Sequence, residues 1–230
     1  MELYKLDWDS NFFGYEIAKC VVSNKENFEV PLFHKLAENF KLIYVFSEAP
    51  LATETLKLVD EKIVYHQEIK QQQTTKIPEI KVFDKAQHSY DQLVNLAYAS
   101  GIHSRFRTDE EFKNDEFRKL YKKWIDNSIS QKEKHEVLIY EKHNELLGLI
   151  TYNIDNQQNS TIGLLAVHSN ARGLGVASKL IADAMLRISE QGIPSVEVAT
   201  QLNNIPANAL YKKCGFTKKY INYIYHYWNI

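Results

Sequence analysis

Short apolar runs alternate with segments of helical periodicity along the N-terminal third of the chain. Residues 41–46 carry Leu42, Ile43, Val45 and Phe46, the run expected of a buried strand. The same patterning predicts four more elements, namely strands over 15–22 and 62–69 and helices over 31–39 and 50–58. The polar segment 70–78 is either a linker or a long exposed strand end, because no glycine marks a break. We therefore expect a small α/β unit over residues 1–80.

Two helices are predicted at the start of a second unit, over residues 83–230. Residues 90–100 place Leu93, Leu96 and Ala97 on one face, and Gly101 ends the segment. Thr108 and Glu111 have the spacing of a capping box, in which the threonine oxygen accepts a helix N–H and the glutamate reaches back. The helix expected to follow carries large apolar side chains typical of a core-facing stripe: Phe112, Phe117, Leu120, Tyr121, Trp124 and Ile125.

The remaining pattern predicts strands and helices in alternation after an antiparallel meander. The meander consists of strands 136–140, 146–154 and 161–167, joined by polar turns. A helix (174–190), a strand (195–200), a helix (207–214) and a last strand (218–228) follow. The last strand is rich in tyrosine, so it is either an exposed edge that pairs two subunits, giving a homodimer, or an internal strand.

The segment 167–177 is the most informative part of the chain. It joins an apolar strand to a helix through a turn that contains Gly173 and Gly175. The first N–H groups of a helix lack internal partners and carry the positive end of its dipole, so such a turn holds phosphate groups. The simpler alternative is an ordinary strand-to-helix turn. A dinucleotide fold is disfavoured because Gly-x-Gly-x-x-Gly is absent, and a P-loop because no Gly-Lys-Ser/Thr follows.

Composition narrows the classes of function. Hydrophobic residues (44%) and charged residues (25%) fit a folded globular protein, and a formal net charge of −1 disfavours nucleic acid as a partner. No apolar stretch approaches the length of a membrane span, and the N-terminus resembles neither a signal nor a transit peptide. Cys20 and Cys214 lie far apart and have no metal-binding spacing, so we expect no metal site. A cytoplasmic protein with reduced cysteines is the resulting expectation.

Two linked motifs resemble the GNAT N-acetyltransferase superfamily. Arg172-x-x-Gly175-x-Ala177 resembles its acyl-coenzyme-A pyrophosphate loop, and residues 204–216, Asn-x-x-Ala-x-x-Leu-Tyr-x-x-x-Gly-Phe, resemble its second signature. The resemblance implies an α/β (α+β) fold with a central mixed, mostly antiparallel sheet flanked by helices, and acetyl-coenzyme A as co-substrate. It also implies these coenzyme-binding residues: Leu165, Ala166, Val167, Arg172, Gly173, Leu174, Gly175, Val176, Ala177, Asn204, Ala207 and Tyr211.

The resemblance further implies how the acyl group is held. The strand before the loop should splay from its neighbour, with the N–H of Leu165 or Val167 facing the thioester oxygen. Tyr211 should lie beside the coenzyme sulfur, where a phenol with a pKa near ~10 is protonated and can donate to the departing thiolate. The simpler alternatives are that the residues of this strand only pack in the core, and that Tyr211 only packs against Phe216. Asn204 either bonds the coenzyme arm or caps the helix.

A narrower resemblance covers almost the whole chain. The segments 6–14, 104–106, 121–128, 198–201 and 227–228 resemble the sugar-nucleotide amine acetyltransferases typified by dTDP-fucosamine acetyltransferase. These enzymes acetylate a nucleotide-linked amino-deoxysugar and carry an additional N-terminal domain. The resemblance implies an acceptor site at Ser104, Arg105 and Phe106, with Arg105 either gripping a second pyrophosphate or exposed on a loop. It also implies that Asp60 either accepts the proton of the amine or binds the incoming ammonium group. The simpler alternative is that Asp60 is an ordinary surface aspartate.

Three functions follow from these expectations. The first is direct acetyl transfer from acetyl-coenzyme A to a nucleotide-linked amino sugar, such as a dTDP-4-amino-4,6-dideoxyhexose. The second keeps the chemistry but changes the acceptor to a protein, an antibiotic or another small amine. The third is a non-catalytic acyl-coenzyme-A-binding module. The nucleotide base, the hexose epimer, the amine position and the acyl length stay open. His66, His103 and His168 are further candidate bases.

Overall fold

The computed structural model describes residues 1–23, 28–69, 76–131, 133–155 and 159–229. The N-terminal elements are β1 (Leu3–Lys5), α1 (Asp7–Phe13), β2 (Ile17–Val22), α2 (Val30–Ala37), β3 (Leu42–Ser47) and β4 (Lys57–Glu68). The middle elements are β5 (Ile80–Val82), α3 (Tyr90–Ser100), α4 (Arg105–Thr108) and α5 (Glu116–Ser130). The last are β6 (His135–Lys142), β7 (Glu145–Ile154), β8 (Ser160–Val167), a 3₁₀ turn (Ser169–Ala171), α6 (Val176–Glu190), β9 (Ser195–Gln201), α7 (Ile205–Lys213) and β10 (Thr217–Trp228).

All ten of these strands belong to one sheet, in the order β1-β2-β3-β10-β4-β9-β8-β7-β6-β5. Only the pairs β2/β3 and β8/β9 are parallel. The expected mixed, mostly antiparallel sheet flanked by helices is therefore confirmed. β4 lies between β10 and β9, so the N-terminal unit contributes a strand to the middle of the sheet. The division into units 1–80 and 83–230 stays a prediction, and most of the predicted linker 70–78 lies outside the described residues.

Helices cover both faces of the C-terminal part of the sheet. Leu180, Ala184 and Ile188 of α6 pack in one core cluster with Leu138 and Ile150. A second core cluster contains residues of α3 and α5, namely Leu93, Leu96, Ala97 and Ile125. They pack against Val137, Ile139 and Leu149, which alternate along β6 and β7 with the strand residues of the first cluster. Because neighbouring strand residues face opposite sides of a sheet, the two clusters lie on opposite faces. No helix in the described residues is long and apolar enough to span a membrane.

Two local predictions are wrong, and one open alternative is decided. The segment 50–58 forms no helix, because Lys57 already begins the long strand β4, which pairs with β10. Thr108 ends α4 instead of capping the next helix, and α5 begins only at Glu116, so Phe112 precedes it. The two alternatives for the last strand are decided in favour of the internal one, because β10 pairs with both β3 and β4 and cannot join two subunits by extending the sheet. A homodimer of another kind stays a prediction. The elements β1, α1 and β5 were not predicted.

Candidate functional site

A gap in the sheet opens beside the glycine loop. β8 pairs with β9 only at Ser160, Thr161 and Ile162, whereas on its other side it pairs with β7 as far as Val167. The two strands therefore separate after Ile162, as the resemblance implies.

A bulge in β8 lies at the point of separation. Gly163 and Leu164 together stand opposite Thr151, and the Leu164 N–H donates to Thr151 Oγ1 at 2.8 Å. A Cβ added at Gly163 would lie 2.8 Å from that same side-chain oxygen, so glycine leaves room for the Thr151 side chain and its hydrogen bond.

The backbone of β8 presents polar groups to this gap. The His168 N–H donates to Leu147 O at 2.9 Å, which directs residue 168 toward β7. Since backbone groups alternate in direction along a strand, those of Leu165 and Val167 face away from β7, into the gap. The exposed Arg172 folds back on this strand, and its Nε donates to Val167 O at 3.3 Å. The N–H groups of Leu165 and Val167 thus line the gap where an acyl oxygen is expected.

The glycine loop brings the start of α6 to the same place. Gly173 and Gly175 have φ values of 77° and 78°, in the left-handed region that favours glycine. No side chain caps the helix, and its first backbone bond runs from the Lys179 N–H to Gly175 O at 3.1 Å. The N–H groups of Val176, Ala177 and Ser178 therefore have no partner within the helix and are available to an anion.

A cavity of about 570 Å³ joins these parts, a size typical of small-molecule sites. Its lining includes all but one of the predicted coenzyme-binding residues: Leu165, Ala166, Val167, Arg172, Gly173, Gly175, Val176, Ala177, Asn204, Ala207 and Tyr211. The exception is Leu174, whose side chain is 69% exposed. A larger groove of about 810 Å³ lies around Cys214 and includes the candidate base His66 but none of the predicted coenzyme-binding residues. The smaller cavity is therefore the candidate active site.

Helix α7 holds Tyr211 at the cavity wall. Asn204 caps this helix by accepting the Ala207 N–H at 3.3 Å, which is the capping alternative of the sequence prediction. Asn208 was not predicted. It is buried, donates to the carbonyl oxygens of Gln201 (2.9 Å), Leu202 (3.1 Å) and Asn204 (2.8 Å), and accepts from the Tyr65 hydroxyl at 2.8 Å. A polar residue on the inner side of a short helix was its only sequence signal.

Burial suits Tyr211 to proton donation. The side chain is 4% exposed, and its ring packs 5.8 Å from the ring of Tyr65 and 5.7 Å from that of Phe216 (between centroids). Burial raises the pKa of the phenol above its ordinary value, so the hydroxyl is protonated at neutral pH. Tyr211 therefore both packs against Phe216 and lines the cavity, so the two alternatives stated for it do not exclude each other.

Neither Asp60 nor Arg105 lines the cavity, but Asp60 is hydrogen-bonded to Gln201, which does. Asp60 is 6% exposed. Burial raises its pKa to about 6, against the opposing effects of Arg105 and of a hydrogen bond with Gln201, which lines the cavity. The Arg105 guanidinium carbon lies 4.4 Å from the centroid of the Phe106 ring and 5.2 Å from that of Tyr44. Neither residue is therefore the plain surface group of the simpler alternative.

The other predicted acceptor residues have structural contacts. Ser104 caps α4, because its Oγ accepts the Phe106 N–H at 3.3 Å. Phe106 is buried and packs on other aromatic rings, including those of Tyr44, Phe112 and Trp124. Of the three histidines considered, only His103 lines the cavity, while His168 Nδ1 accepts from the Asn170 N–H and His66 lies 3.8 Å from Glu197.

A buried histidine–aspartate pair was missed by the sequence predictions. His226 Nδ1 lies 2.6 Å from Asp109 Oδ2, which also accepts from Trp228 Nε1 at 2.9 Å, and Lys57 donates to Oδ1 at 2.8 Å. Burial favours a raised pKa for Asp109, but these three donors hold it well below its usual range. Burial lowers the pKa of His226 to about 4, so the ring is neutral at pH 7. Its proton lies on Nδ1, because the carboxylate can only accept. Nε2 is then an acceptor.

Substituting Gly175 with alanine should separate backbone strain from ligand binding. Gly175→Ala is expected to lower the stability of the protein by about 1–2 kcal/mol, because alanine resists the left-handed conformation, and to weaken acetyl-coenzyme A binding about tenfold. Gly192 is a matched control, since it has a φ of 77° and equally open surroundings but does not line the cavity. Calorimetry should show a loss of affinity only for Gly175→Ala. Equal affinity in both variants would contradict the role of the loop.

Fold and site together define a class of protein. A helix N-terminus that can hold a diphosphate, a gap in the sheet that can hold a long arm, and a buried phenol at the end of that gap fit an acyl-coenzyme-A-dependent transferase. A family model agrees: the chain belongs to the Acetyltransferase (GNAT) family, whose model matches residues 99–216. This family consists of acyl-coenzyme-A-dependent N-acetyltransferases. The predictions of the family and of its co-substrate, acetyl-coenzyme A, are therefore confirmed.

Individual relatives are more distant. The spore coat polysaccharide biosynthesis protein SpsD of Bacillus subtilis is 28% identical over 139 residues, which are 60% of this chain and 47% of that protein. A streptothricin acetyltransferase from Escherichia coli is 38% identical over 73 residues, which are 32% of this chain and 42% of that protein. Both matches span less than half of the curated relative. The crystal structure of a GNAT-family acetyltransferase from Colwellia psychrerythraea has a TM-score of 0.54 at 18% identity, covering 83% of this chain and 65% of that one, and so supports the fold.

Proposed function

We propose that this protein transfers the acetyl group of acetyl-coenzyme A directly to the amine of a nucleotide-linked amino-deoxysugar. The observation that carries the proposal is the single cavity that joins the unpaired N–H groups of α6, the gap-facing backbone of β8 and Tyr211. The amides of residues 173–178 bind the diphosphate, and Asn204 and Ala207 border the arm. Leu174 contributes through its backbone alone, because its side chain points to solvent.

The proposed reaction needs no covalent enzyme intermediate. The N–H groups of Leu165 and Val167 stabilise negative charge on the thioester oxygen as the amine nitrogen bonds to the acyl carbon. Asp60 accepts the proton that leaves the nitrogen, through a bridging water at the Gln201 side of the cavity. Tyr211 donates its proton to the sulfur as the carbon–sulfur bond breaks. Charge and protons balance, because the carboxyl and the phenolate return to their starting forms by exchange with water.

Arg105 receives a different role from the one implied by resemblance. Its guanidinium interacts with the carboxylates of Asp60 and Asp9, so a pyrophosphate at this position would face two negative groups. We assign Arg105 to the sugar end of the acceptor, where its charge favours the ionised form of Asp60. Ser104 and Phe106 hold it there through the cap and the ring contact.

The identity of the acceptor rests on two lines of support. One is the whole-length resemblance to sugar-nucleotide amine acetyltransferases. The other is the match to SpsD, a polysaccharide biosynthesis protein. The shorter match to streptothricin acetyltransferase favours a second candidate, an antibiotic amine as acceptor.

An acceptor panel tests the proposal. Purified protein is mixed with acetyl-coenzyme A and dTDP- or UDP-linked 3-amino and 4-amino sugars, streptothricin, or a peptide with a free amine, and thiol release is followed. We expect release with an amino sugar at a kcat/KM at least tenfold above that for the other amines. Preferential release with streptothricin would support the second candidate. Intact coenzyme binding without release for any amine would show a non-catalytic binding module.

A further inference from the structure

Buried polar atoms without partners gather behind Arg105. In the described residues, seven buried side-chain atoms lack a hydrogen-bond partner, and five of them belong to one cluster: Tyr15 Oη, Tyr44 Oη, Asp60 Oδ1, Arg105 Nε and His226 Nε2. Folded proteins pair nearly all such atoms, so five in one place require an explanation. We call this cluster the hydroxyl pocket.

Strand register places three of these side chains on one face of the sheet. Tyr44 stands opposite His226 in the β3/β10 pair, and Asp60 stands opposite Ile224, two residues before His226. Residues that oppose each other across an antiparallel pair, or are two apart along a strand, share a face. The rings of Tyr44 and His226 have centroids 5.1 Å apart.

Arg105 and Tyr15 close the pocket from above this face. The Arg105 guanidinium lies over the ring of Tyr44 and interacts electrostatically with both Asp60 and His226. The Tyr15 ring lies 5.9 Å from that of Trp228, whose Nε1 bonds the same carboxylate oxygen as His226. Tyr44 and Asp60 are 2% and 6% exposed, and His226 is 1% exposed, so bulk solvent does not reach them freely.

The polar atoms of the pocket have complementary roles. Arg105 Nε can only donate a hydrogen bond, whereas Asp60 Oδ1 and His226 Nε2 are acceptors, the latter because Asp109 fixes the histidine proton on Nδ1. The tyrosine hydroxyls can both donate and accept. A ligand hydroxyl satisfies a donor and an acceptor at once, which the methylene groups of a lysine side chain cannot do. The ring of Phe106 adds an apolar surface of the kind that sugar C–H groups contact.

We propose that the hydroxyl pocket binds a hydroxyl-bearing edge of the acceptor sugar, next to the amine that is acetylated. This inference rests on the proposed function and deepens it. Asp60 belongs to the pocket and hydrogen-bonds Gln201, which lines the cavity, so one acceptor molecule can extend from the cavity to the pocket. The pocket thereby selects polyhydroxylated amines over peptide amines, since an apolar group in it would leave the buried polar atoms unpaired.

Tyr44→Phe tests this proposal with a matched control. The change removes only a hydroxyl that has no partner, so the denaturation midpoint should stay equal or rise. Tyr152→Phe is the control. Tyr152 is as deeply buried as Tyr44, but its hydroxyl donates to Glu136 outside the cavity. That control should lower the midpoint and leave acceptor kinetics unchanged.

Kinetics with two acceptors complete the test. They are the amine that the wild-type protein acetylates and its analogue lacking the hydroxyl next to the amine. Tyr44→Phe should raise KM about tenfold for the hydroxylated acceptor, the effect of one buried hydrogen bond, and leave KM for the analogue unchanged. An equal effect on both acceptors would overturn the proposal. An unchanged KM together with a lower midpoint would also overturn it, since that combination identifies a structural water site.

The two proposals fail differently. Absence of thiol release with every amine contradicts the proposed function. In that case, calorimetry with a dTDP-linked 4-amino sugar of the panel and its analogue lacking the hydroxyl next to the amine still tests the pocket, and equal affinities for wild-type protein and Tyr44→Phe would exclude it. Efficient acetylation of an amino sugar with no dependence on Tyr44 contradicts the hydroxyl pocket alone.

Discussion

Tyr211→Phe is expected to lower kcat by about 100- to 1,000-fold, the usual contribution of a general acid, while the dissociation constant of acetyl-coenzyme A changes little. The substitution removes the hydroxyl and keeps the ring, whose packing against Tyr65 and Phe216 holds α7 in place. Burial keeps the phenol protonated at neutral pH, so the wild-type residue is ready to donate. Steady-state kinetics and calorimetry on the same preparation measure the two quantities.

Tyr65→Phe is the control for this prediction. Tyr65 packs on Tyr211 but does not line the cavity, and its hydroxyl donates to Asn208. This variant should lose about 1 kcal/mol of stability, the value of one hydrogen bond, and keep most of its turnover. A wild-type kcat in Tyr211→Phe would remove Tyr211 from the mechanism. A parallel loss of coenzyme affinity would instead indicate a packing role.

Asp60→Asn is expected to lower kcat/KM for the acceptor about 100-fold or more at pH 7.5. Only the ionised carboxylate can take the proton of the amine. With a pKa of about 6 for Asp60, kcat/KM of the wild-type protein should therefore fall about tenfold per pH unit below that value. The ionisation of the acceptor amine adds a separate limb at higher pH. The variant should lack the limb near pH 6, and a pH profile that keeps this limb would exclude Asp60 as the base.

The same substitution should stabilise the protein. Burial raises the pKa of Asp60 from its ordinary value of 3.8 to about 6 in the folded state, so the folded protein binds the proton more tightly than the unfolded chain. Ionisation of Asp60 therefore destabilises the fold progressively as pH rises from about 4 to 6, and the cost is constant above that range. Neutral asparagine avoids this cost, and we expect a gain of about 1–3 kcal/mol at pH 7.5.

Urea denaturation at two pH values measures this gain. The difference between Asp60→Asn and wild type should be largest at pH 7.5 and small at pH 4, where the wild-type carboxyl is protonated in the folded protein. A variant that is less stable at pH 7.5 would show that the electrostatic attraction of Arg105 outweighs the burial of the charge. Higher stability together with lower activity would mark Asp60 as a group retained for function at the expense of stability.

The sequence was most informative where the site depends on neighbouring residues. The glycine loop and the segment 204–216 are continuous, so local rules indicated a helix after the loop and, as one of two alternatives, a cap at Asn204, while the position of Tyr211 came from the family resemblance. The same local reasoning failed at Thr108. The spacing to Glu111 satisfies the capping-box rule. The Asp109 carboxylate is instead hydrogen-bonded to His226, Lys57 and Trp228, and the backbone at Asp109 is extended where a helix was expected.

Features that depend on distant pairing could not be predicted. Asp109 and His226 are 117 residues apart, and only the position of β10 between β3 and β4 brings them together. The pairing of β4 with β10 likewise overrides the helical pattern over residues 50–58 and buries Asp60 beside Arg105. A single sequence does not show which strands are neighbours in the sheet. It therefore identified Asp60 and Arg105 as candidates by resemblance but gave neither their burial nor their mutual contact.

A crystal structure of the complex with acetyl-coenzyme A tests the central claim most directly. The account predicts diphosphate oxygens about 3 Å from backbone nitrogens of residues 173–178. It also predicts the acyl oxygen at the N–H groups of Leu165 and Val167 and the sulfur beside the Tyr211 hydroxyl. A diphosphate bound away from the start of α6, or a sulfur out of reach of Tyr211, would contradict it.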